Sequence, residues 1–128
     1  MARKAQHVTD AELAVLQVLW EQGEATAGGI VEVLYPTKTA SDVATVQKLL
    51  QRLEDKGCLG RNRKAWPHIF HPSIAREDLI GRRLQTTADD LCEGSFSPLL
   101  THLVKSKPLS HEDREMLREL LDELDEET

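Results

Sequence analysis

Apolar residues fall on one helical face through most of this chain, and the interruptions mark its joints. Val43, Val46, Leu49, Leu50 and Leu53 recur at helical spacing within SDVATVQKLLQRLEDKG (41–57), and the other segments are arranged around this helix. Ser41 is expected to cap it by accepting a free backbone N–H of the first turn. Gly57 is expected to stop it, because glycine enters the left-handed conformation that ends many helices. The opposite face carries Ser41, Ala44, Thr45, Lys48, Gln51 and Arg52. That face is small at its start and then rich in long donors, as base edges and phosphates in a DNA major groove require. Taken alone it also fits an ordinary amphipathic surface helix.

The flanking segments follow the same logic. Thr9-Asp10-Ala11-Glu12 is a T-x-x-E capping box before an apolar run. Leu13, Leu16, Leu19 and Trp20, with Val18 toward one edge, predict a first helix ending near Gly23. Glu24-Ala25-Thr26 reads as a short extended link, and Thr26 as the cap of a second helix from Ala27 to about Tyr35. Ile30, Val31 and Leu34 face inward there. Gly28 and Gly29 weaken that helix but leave room for a neighbour or a DNA backbone. Pro36 stops it. Two helices, a brief turn and a donor-rich third helix predict a helix-turn-helix.

After Gly57 the period changes. Cys58 to Arg63 and His68 to His71 are short extended runs around Lys64-Ala65-Trp66-Pro67, a β-hairpin pattern. A hairpin directly after a helix-turn-helix predicts a winged helix, with Arg61, Arg63 and Lys64 on the wing where they can meet phosphates. Pro72 and Ser73 mark a boundary. The organisation expected is therefore mainly α: a winged-helix domain over 1–72 and a helical region over 73–128.

That second region predicts three more helices. Ile74 to about Glu93 carries Leu79, Ile80, Leu84, Ala88 and Leu91 near one face. After Gly94-Ser95, Pro98 fits a first helical position, and Leu99, Leu100, Leu103 and Val104 follow. Ser110 to Asp113 resembles another capping box, before a stripe of Met116, Leu117, Leu120, Leu121 and Leu124. The acids from Asp125 to Glu127 oppose the macrodipole, so that end is expected to fray. About 55 residues of this kind build a poor core alone. A symmetric dimer supplies the missing apolar partner; packing back on the winged helix is the competing arrangement.

Composition adjusts this picture in two places. With 128 residues, 40% hydrophobic and 4% aromatic, the chain leans helical. The net charge of −6 looks wrong for a partner of DNA, but it is unevenly spread. Residues 1–72 hold 9 Lys+Arg against 8 Asp+Glu, a balance of +1, and residues 73–128 hold 7 against 14, a balance of −7. Clustering matters more than the total when the partner is a polyanion. MARKAQHVTD has two cations and no apolar core, so no signal peptide is expected. Nor does any apolar run reach membrane-spanning length. A cytoplasmic location is expected, and the two scattered cysteines fit a reducing compartment.

Enzymatic and metal chemistry finds little support. His68 and His71 invite a metal, but residues three apart on a strand point to opposite faces, so hairpin packing is the expected role. Cys58 is expected to be a small buried residue. Cys92 sits among Asp89, Asp90 and Glu93, which disfavour a thiolate. There is no phosphate-binding glycine loop, no G-x-S-x-G and no H-E-x-x-H. No catalytic residue, metal or cofactor is expected.

Four segments then carry a resemblance: TDAELAVLQVLWEQG (9–23), TVQKLLQRLEDKGCL (45–59), GSFSPL (94–99) and LSHED (109–113). In this order and spacing, from about Val8 to Leu124, the chain resembles the penicillinase-repressor family. The resemblance implies a dimeric winged-helix repressor on a dyad operator. DNA contacts would come from Thr26, Ser41, Ala44, Thr45, Lys48, Gln51, Arg52, Arg61, Arg63 and Lys64. The dimer interface would come from Leu79, Leu84, Leu91, Leu99, Leu103, Leu117, Leu120, Leu121 and Leu124.

The chain departs from the family pattern in several places. The family's Tyr-x-Tyr-x-Pro wing is His68-Ile69-Phe70-His71-Pro72 here, and Lys48 stands where many members carry threonine. Related copper-responsive repressors have a C-terminal cysteine cluster, which this chain lacks, so copper sensing is not expected. Family members are inactivated by a sensor protease that cuts an Asn–Phe bond in the fifth helix. The aligned bond is His102–Leu103, and the change of side chain predicts poor cutting. The alternative function is a winged-helix protein–protein interaction module without sequence-specific DNA binding.

Overall fold

The computed structural model describes residues 7–106 and 108–127. Residues 1–6, on which most of the signal-peptide expectation falls, lie outside the described residues. Helix α1 spans Asp10–Gln22, strand β1 Ala25–Thr26, α2 Ala27–Leu34 and α3 Ala40–Asp55. Strands β2 (Leu59–Asn62) and β3 (Ile69–Pro72) form the wing. Helices α4 (Arg76–Leu91), α5 (Ser97–Ser106) and α6 (His111–Glu127) complete the chain. The first six elements follow one another in winged-helix order.

The predicted caps of α1 and α2 are present. Thr9 Oγ1 accepts the Glu12 N–H at 3.2 Å, and the Thr9 N–H donates to Glu12 Oε1 at 2.9 Å. Thr26 Oγ1 accepts the Gly29 N–H at 3.1 Å. For α3 the expected cap moves back two residues. Thr39 caps it, through a box in which Thr39 Oγ1 accepts from the Asp42 N–H and Asp42 accepts from the Thr39 N–H. A box satisfies two free donors at once, which places Ser41 inside the first turn. At the other end Gly57 has φ +76°, the left-handed geometry expected of it.

The first three helices and the sheet enclose one core. Leu16, Leu19, Ile30, Leu50 and Leu53 are essentially inaccessible to water, and each such side chain contributes roughly 1.5–3 kcal/mol. The sheet order is β1-β3-β2, all antiparallel, with Ala25 opposite Phe70 and Arg61 opposite Phe70 on the other edge. The segment expected to be a mere link, Glu24 to Thr26, is thus partly a strand. Its two residues carry too little pattern to announce pairing.

Two compact units divide between Arg82 and Arg83, inside α4, whereas the sequence places its boundary after Pro72. The cause is packing. Ile74 and Leu79 belong to the first core, and Trp20 Nε1 donates to the Ile74 carbonyl at 2.8 Å. The Arg76 guanidinium lies 5.3 Å over the Trp20 ring. Leu79, expected in the dimer interface, is therefore a core residue of the first unit, and Ile74 precedes α4 rather than opening it.

The second unit contains the end of α4 with α5 and α6. Ala88 is fully buried, while Leu91, Leu100, Leu103, Leu120, Leu121 and Leu124 are exposed. Pro98 is the second residue of α5, not the first, because Ser97 already enters the helix with its N–H held by Ser95 Oγ at 3.2 Å. Ser110 caps α6, accepting the Asp113 N–H at 3.1 Å. The acidic end expected to fray is helical through Glu127.

Candidate nucleic-acid interface

The outward face of α3 is built by its inward one. Val46, Leu49, Leu50 and Leu53 fix the helix rotation by entering the core, which leaves Ser41, Ala44, Thr45, Lys48, Gln51 and Arg52 exposed. Thr45 Oγ1 donates to the Ser41 carbonyl at 2.9 Å, so its hydroxyl proton is already engaged within the helix. The side chains of Lys48 and Arg52 have no partner among the described residues. Gln51 is already engaged: its amide N–H donates to Asp55 Oδ1 at 2.9 Å, and its carbonyl accepts from Arg61 at 3.3 Å.

The three wing cations differ in availability. Arg61 Nε donates to Glu54 Oε2 at 3.0 Å, and its guanidinium lies 4.8 Å from the Phe70 ring centroid. Its side chain is only 15% exposed, so Arg61 fastens the wing to α3 before any partner arrives. Arg63 is 66% exposed and only 3.7 Å from the same carboxylate. Lys64 is exposed, and its backbone N–H is held by Asn62 Oδ1 at 3.0 Å, which shapes the tip. Thr26 is half-buried, with its hydroxyl spent on capping.

Behind this face lies a buried ion pair that sequence spacing does not reveal. Lys56 Nζ donates to both Glu12 oxygens, at 2.6 and 2.8 Å, and to the His7 carbonyl at 2.8 Å. It joins the start of α1 to the end of α3 across 44 residues of sequence. Burial pushes the Glu12 carboxyl up, but the bonds from Lys56 and Thr9 outweigh it and hold the group below the ordinary carboxylate range. The Glu54 link to Arg61 is likewise tertiary; only its spacing of seven residues across a turn hinted at it.

The remaining candidates behave as packing residues. The His71 ring lies over Gly60, where a Cβ would come within 2.7 Å of Nε2. His68 meets Trp66 edge-on, with ring centroids 5.3 Å apart. Among the described residues no group of three metal-capable side chains comes together. Burial raises the Cys58 thiol above its usual value, against a smaller opposing pull from Arg82, which leaves it protonated and inert near neutral pH. No helix among the described residues is long and apolar enough to cross a membrane.

A helix-turn-helix with an exposed donor-rich third helix and a cationic wing defines a winged-helix DNA-binding regulator. Comparison with known proteins narrows the class. The family model described as penicillinase repressor matches residues 8–123. A penicillinase repressor of Bacillus licheniformis is 26% identical over 121 residues, 94% of each chain. That of Staphylococcus aureus is 25% identical over 124 residues, covering 97% of this chain and 98% of its own. The methicillin resistance regulatory protein MecI of Staphylococcus aureus (strain N315) is 25% identical over 121 residues, 94% of this chain and 98% of its own. The chain belongs to the penicillinase-repressor family. It is a transcriptional repressor and not an enzyme. Solved structures of a Lactococcus lactis ZitR mutant in apo form and of reduced MarR from E. coli also align. Their TM-scores are 0.42 and 0.43, with 20% and 18% identity. The first covers 94% of this chain and 83% of its own, the second 91% and 77%.

Proposed function

We propose that this repressor acts in the cytoplasm as a homodimer on a dyad operator in duplex DNA. In this reading α3 enters the major groove and the wing follows the phosphates. The observation that carries it is the exposed, unpaired pair Lys48 and Arg52 on α3, beside exposed Arg63 and Lys64 on the wing. Ser41, Ala44 and Thr45 allow close approach at the start of the helix. Lys48, and Gln51 once freed from Asp55, would read base edges. Arg52, Arg63 and Lys64 would neutralise phosphates. Thr26 would meet the backbone through its main chain, and Arg61 would act by holding the wing in place.

The dimer would form through Leu84, Leu91, Leu99, Leu103, Leu117, Leu120, Leu121 and Leu124. All but the half-buried Leu99 are exposed large apolar residues, from Leu117 at 38% to Leu91 at 80%. Two half-sites should lie about 10 bp or a multiple apart. Sequences selected from a random duplex pool, then measured at two salt concentrations, test the whole reading. A dyad consensus is expected, with about −0.9 in the log–log salt slope per phosphate neutralised. Equal affinity for random DNA, or affinity indifferent to salt, would overturn it and favour the interaction-module alternative.

Release from DNA in this reading does not run efficiently through the family's sensor protease. The His102–Leu103 bond lies within α5, and His102 Nδ1 is 3.1 Å from Ser106 Oγ, one turn on. Cutting requires that turn to unwind. A pocket built for an amide would also meet an imidazole in its place, a mismatch that can cost orders of magnitude in rate. Incubation with such a protease and intact-mass analysis decides it. Ready cleavage between His102 and Leu103 would show that the family's induction route extends to this chain.

A further inference from the structure

Among the described residues Trp66 is the most exposed large apolar side chain, at 87%. An aromatic side chain carries roughly 150–250 Å² that burial can remove from water, so leaving this one open forgoes a large stabilisation. The exposed leucines of α4 to α6 belong to the second unit and have a use there in the proposed dimer. Trp66 belongs to the first unit, in the turn between β2 and β3, and that use does not extend to it.

The wing holds the indole out rather than folding it in. Asn62 Oδ1 accepts the Lys64 N–H at 3.0 Å and shapes the turn before it. The ring meets that of His68 edge to face, with centroids 5.3 Å apart and planes at 89°. His68 Nδ1 lies 3.5 Å from the Arg61 guanidinium, and Arg61 is clasped to Glu54 of α3 and to the Phe70 ring. A chain of contacts therefore runs from Trp66 to α3. The indole also borders the groove that Gln51 lines, so it stands on the α3 side of the wing. A side chain placed in advance loses less freedom on binding.

The surroundings of the ring select its partner. Lys64 and Arg63, both exposed, lie just before it in the turn. An apolar protein face would cover the indole but strand both cations. Duplex DNA answers both demands: phosphates for the cations and, between phosphates, the C–H surface of the deoxyribose rings for the indole. An anionic bilayer offers the same two features, but it has no use for the donor-rich face of α3 beside which the indole is held.

We propose that Trp66 is a further DNA-contacting residue of this repressor, and that it lays its indole against deoxyribose rings of the strand that the wing follows. The contact rests on the DNA-binding reading above. It adds affinity without neutralising a phosphate, and it reads no base.

The probe is the consensus duplex selected from the random pool, added to the full-length protein. Indole emission and binding isotherms at two salt concentrations follow it. Emission of the native protein should be quenched as duplex binds. In Trp66→Phe the remaining indole, Trp20, donates to the Ile74 carbonyl and should not respond. Trp66→Ala should weaken binding about tenfold for each wing engaged, the scale of covering part of an aromatic side chain. Trp66→Phe should restore most of that loss. In both variants the log–log salt slope should keep its native value, whereas Arg63→Ala lowers it by about one. If Trp66 only shaped the turn, Trp66→Ala would misplace Arg63 and Lys64 and the slope would fall, which overturns the proposal. So would native affinity in Trp66→Ala, or quenching of the same size in Trp66→Phe. Emission that responds to dilution of the protein alone, or to phosphatidylglycerol vesicles and not to duplex, would give the ring to a second copy or to a membrane instead. If no duplex is selected, the DNA-binding reading fails and the contact falls with it. If duplex binds and Trp66→Ala matches the native protein, the contact alone falls.

Discussion

Leu16 and Leu19 of α1 are sealed from water, whereas Leu120 and Leu121 of α6, on a narrower apolar stripe, are 49% and 59% exposed. Both helices repeat apolar residues at helical spacing. What differs is the company: α1 meets α2, α3 and the sheet, while α6 keeps its stripe open. An amphipathic stripe announces that a helix needs a partner; it does not say whether the partner lies in the same chain. The first unit answers that demand internally, and the second leaves its stripe exposed, as the proposed dimer requires.

The sharpest way to break this contrast is to put a charge on the open stripe. Leu121→Asp should leave the first unit folded but convert the dimer to a monomer, by burying an unpaired charge at the interface. Operator affinity should fall about 10²–10⁴-fold with loss of the linked second half-site. Sedimentation and a binding isotherm check both. An unchanged dimer would place the interface elsewhere.

Next in size is the buried pair within the first unit. Lys56→Met should cost roughly 3–5 kcal/mol near neutral pH, because it strands Glu12. The pH dependence carries a sign. In the native chain the Glu12 carboxyl is held below its ordinary value, so its stabilisation is present above the unfolded carboxylate pKa and is lost as pH falls through the folded one. In Lys56→Met the lowering by Lys56 is lost while burial and the Thr9 bonds remain, so that pKa should rise from its native position and the destabilisation should shrink on acidification. Denaturant melts of both proteins at neutral and acidic pH should converge at the acid end. A pH-independent gap would mean that lost packing, not the stranded charge, sets the cost.

A truncation inside the core gives a comparable but pH-independent loss. Leu53→Ala should destabilise by about 2–5 kcal/mol, whereas Leu124→Ala should barely change the melt of a monomeric Leu121→Asp background. Equal effects would erase the distinction between closed and open stripes.

The smallest effects lie on the DNA face. Lys48→Ala should cost about 1–3 kcal/mol at particular operator positions only. Arg63→Ala should weaken all sequences alike and reduce the salt slope by about one. If Arg63→Ala instead changes which sequence is preferred, the division between reading helix and phosphate-holding wing is wrong.

Much of this molecule follows from rules that act within a few residues. The Thr9–Glu12 box, the Thr26 cap, the left-handed Gly57 and the apolar periods of α1, α3 and α6 all depend on neighbours one to four positions away. They can therefore be read along the chain. The exposed side of α3 follows too, because burying Val46, Leu49, Leu50 and Leu53 leaves only one face outward. Choices between equivalent local solutions were less legible. Thr39 and Ser41 are both sound caps, and the Asp42 side chain settled the contest.

Other features depend on residues brought together from far apart. Glu12 looks like a capping residue and is also half of a buried ion pair, because the fold sets Lys56 against it. Arg61 looks like a wing cation and serves as a clasp, because Glu54 and Phe70 close around it. Leu79 shares its spacing with the open stripe and is buried, because the first turn of α4 packs on the winged helix. Periodicity tells which face of a helix is apolar, since that depends on local geometry alone. Which neighbour covers the face, and which charges are neutralised beforehand, depends on contacts across the whole chain, and no local pattern encodes them.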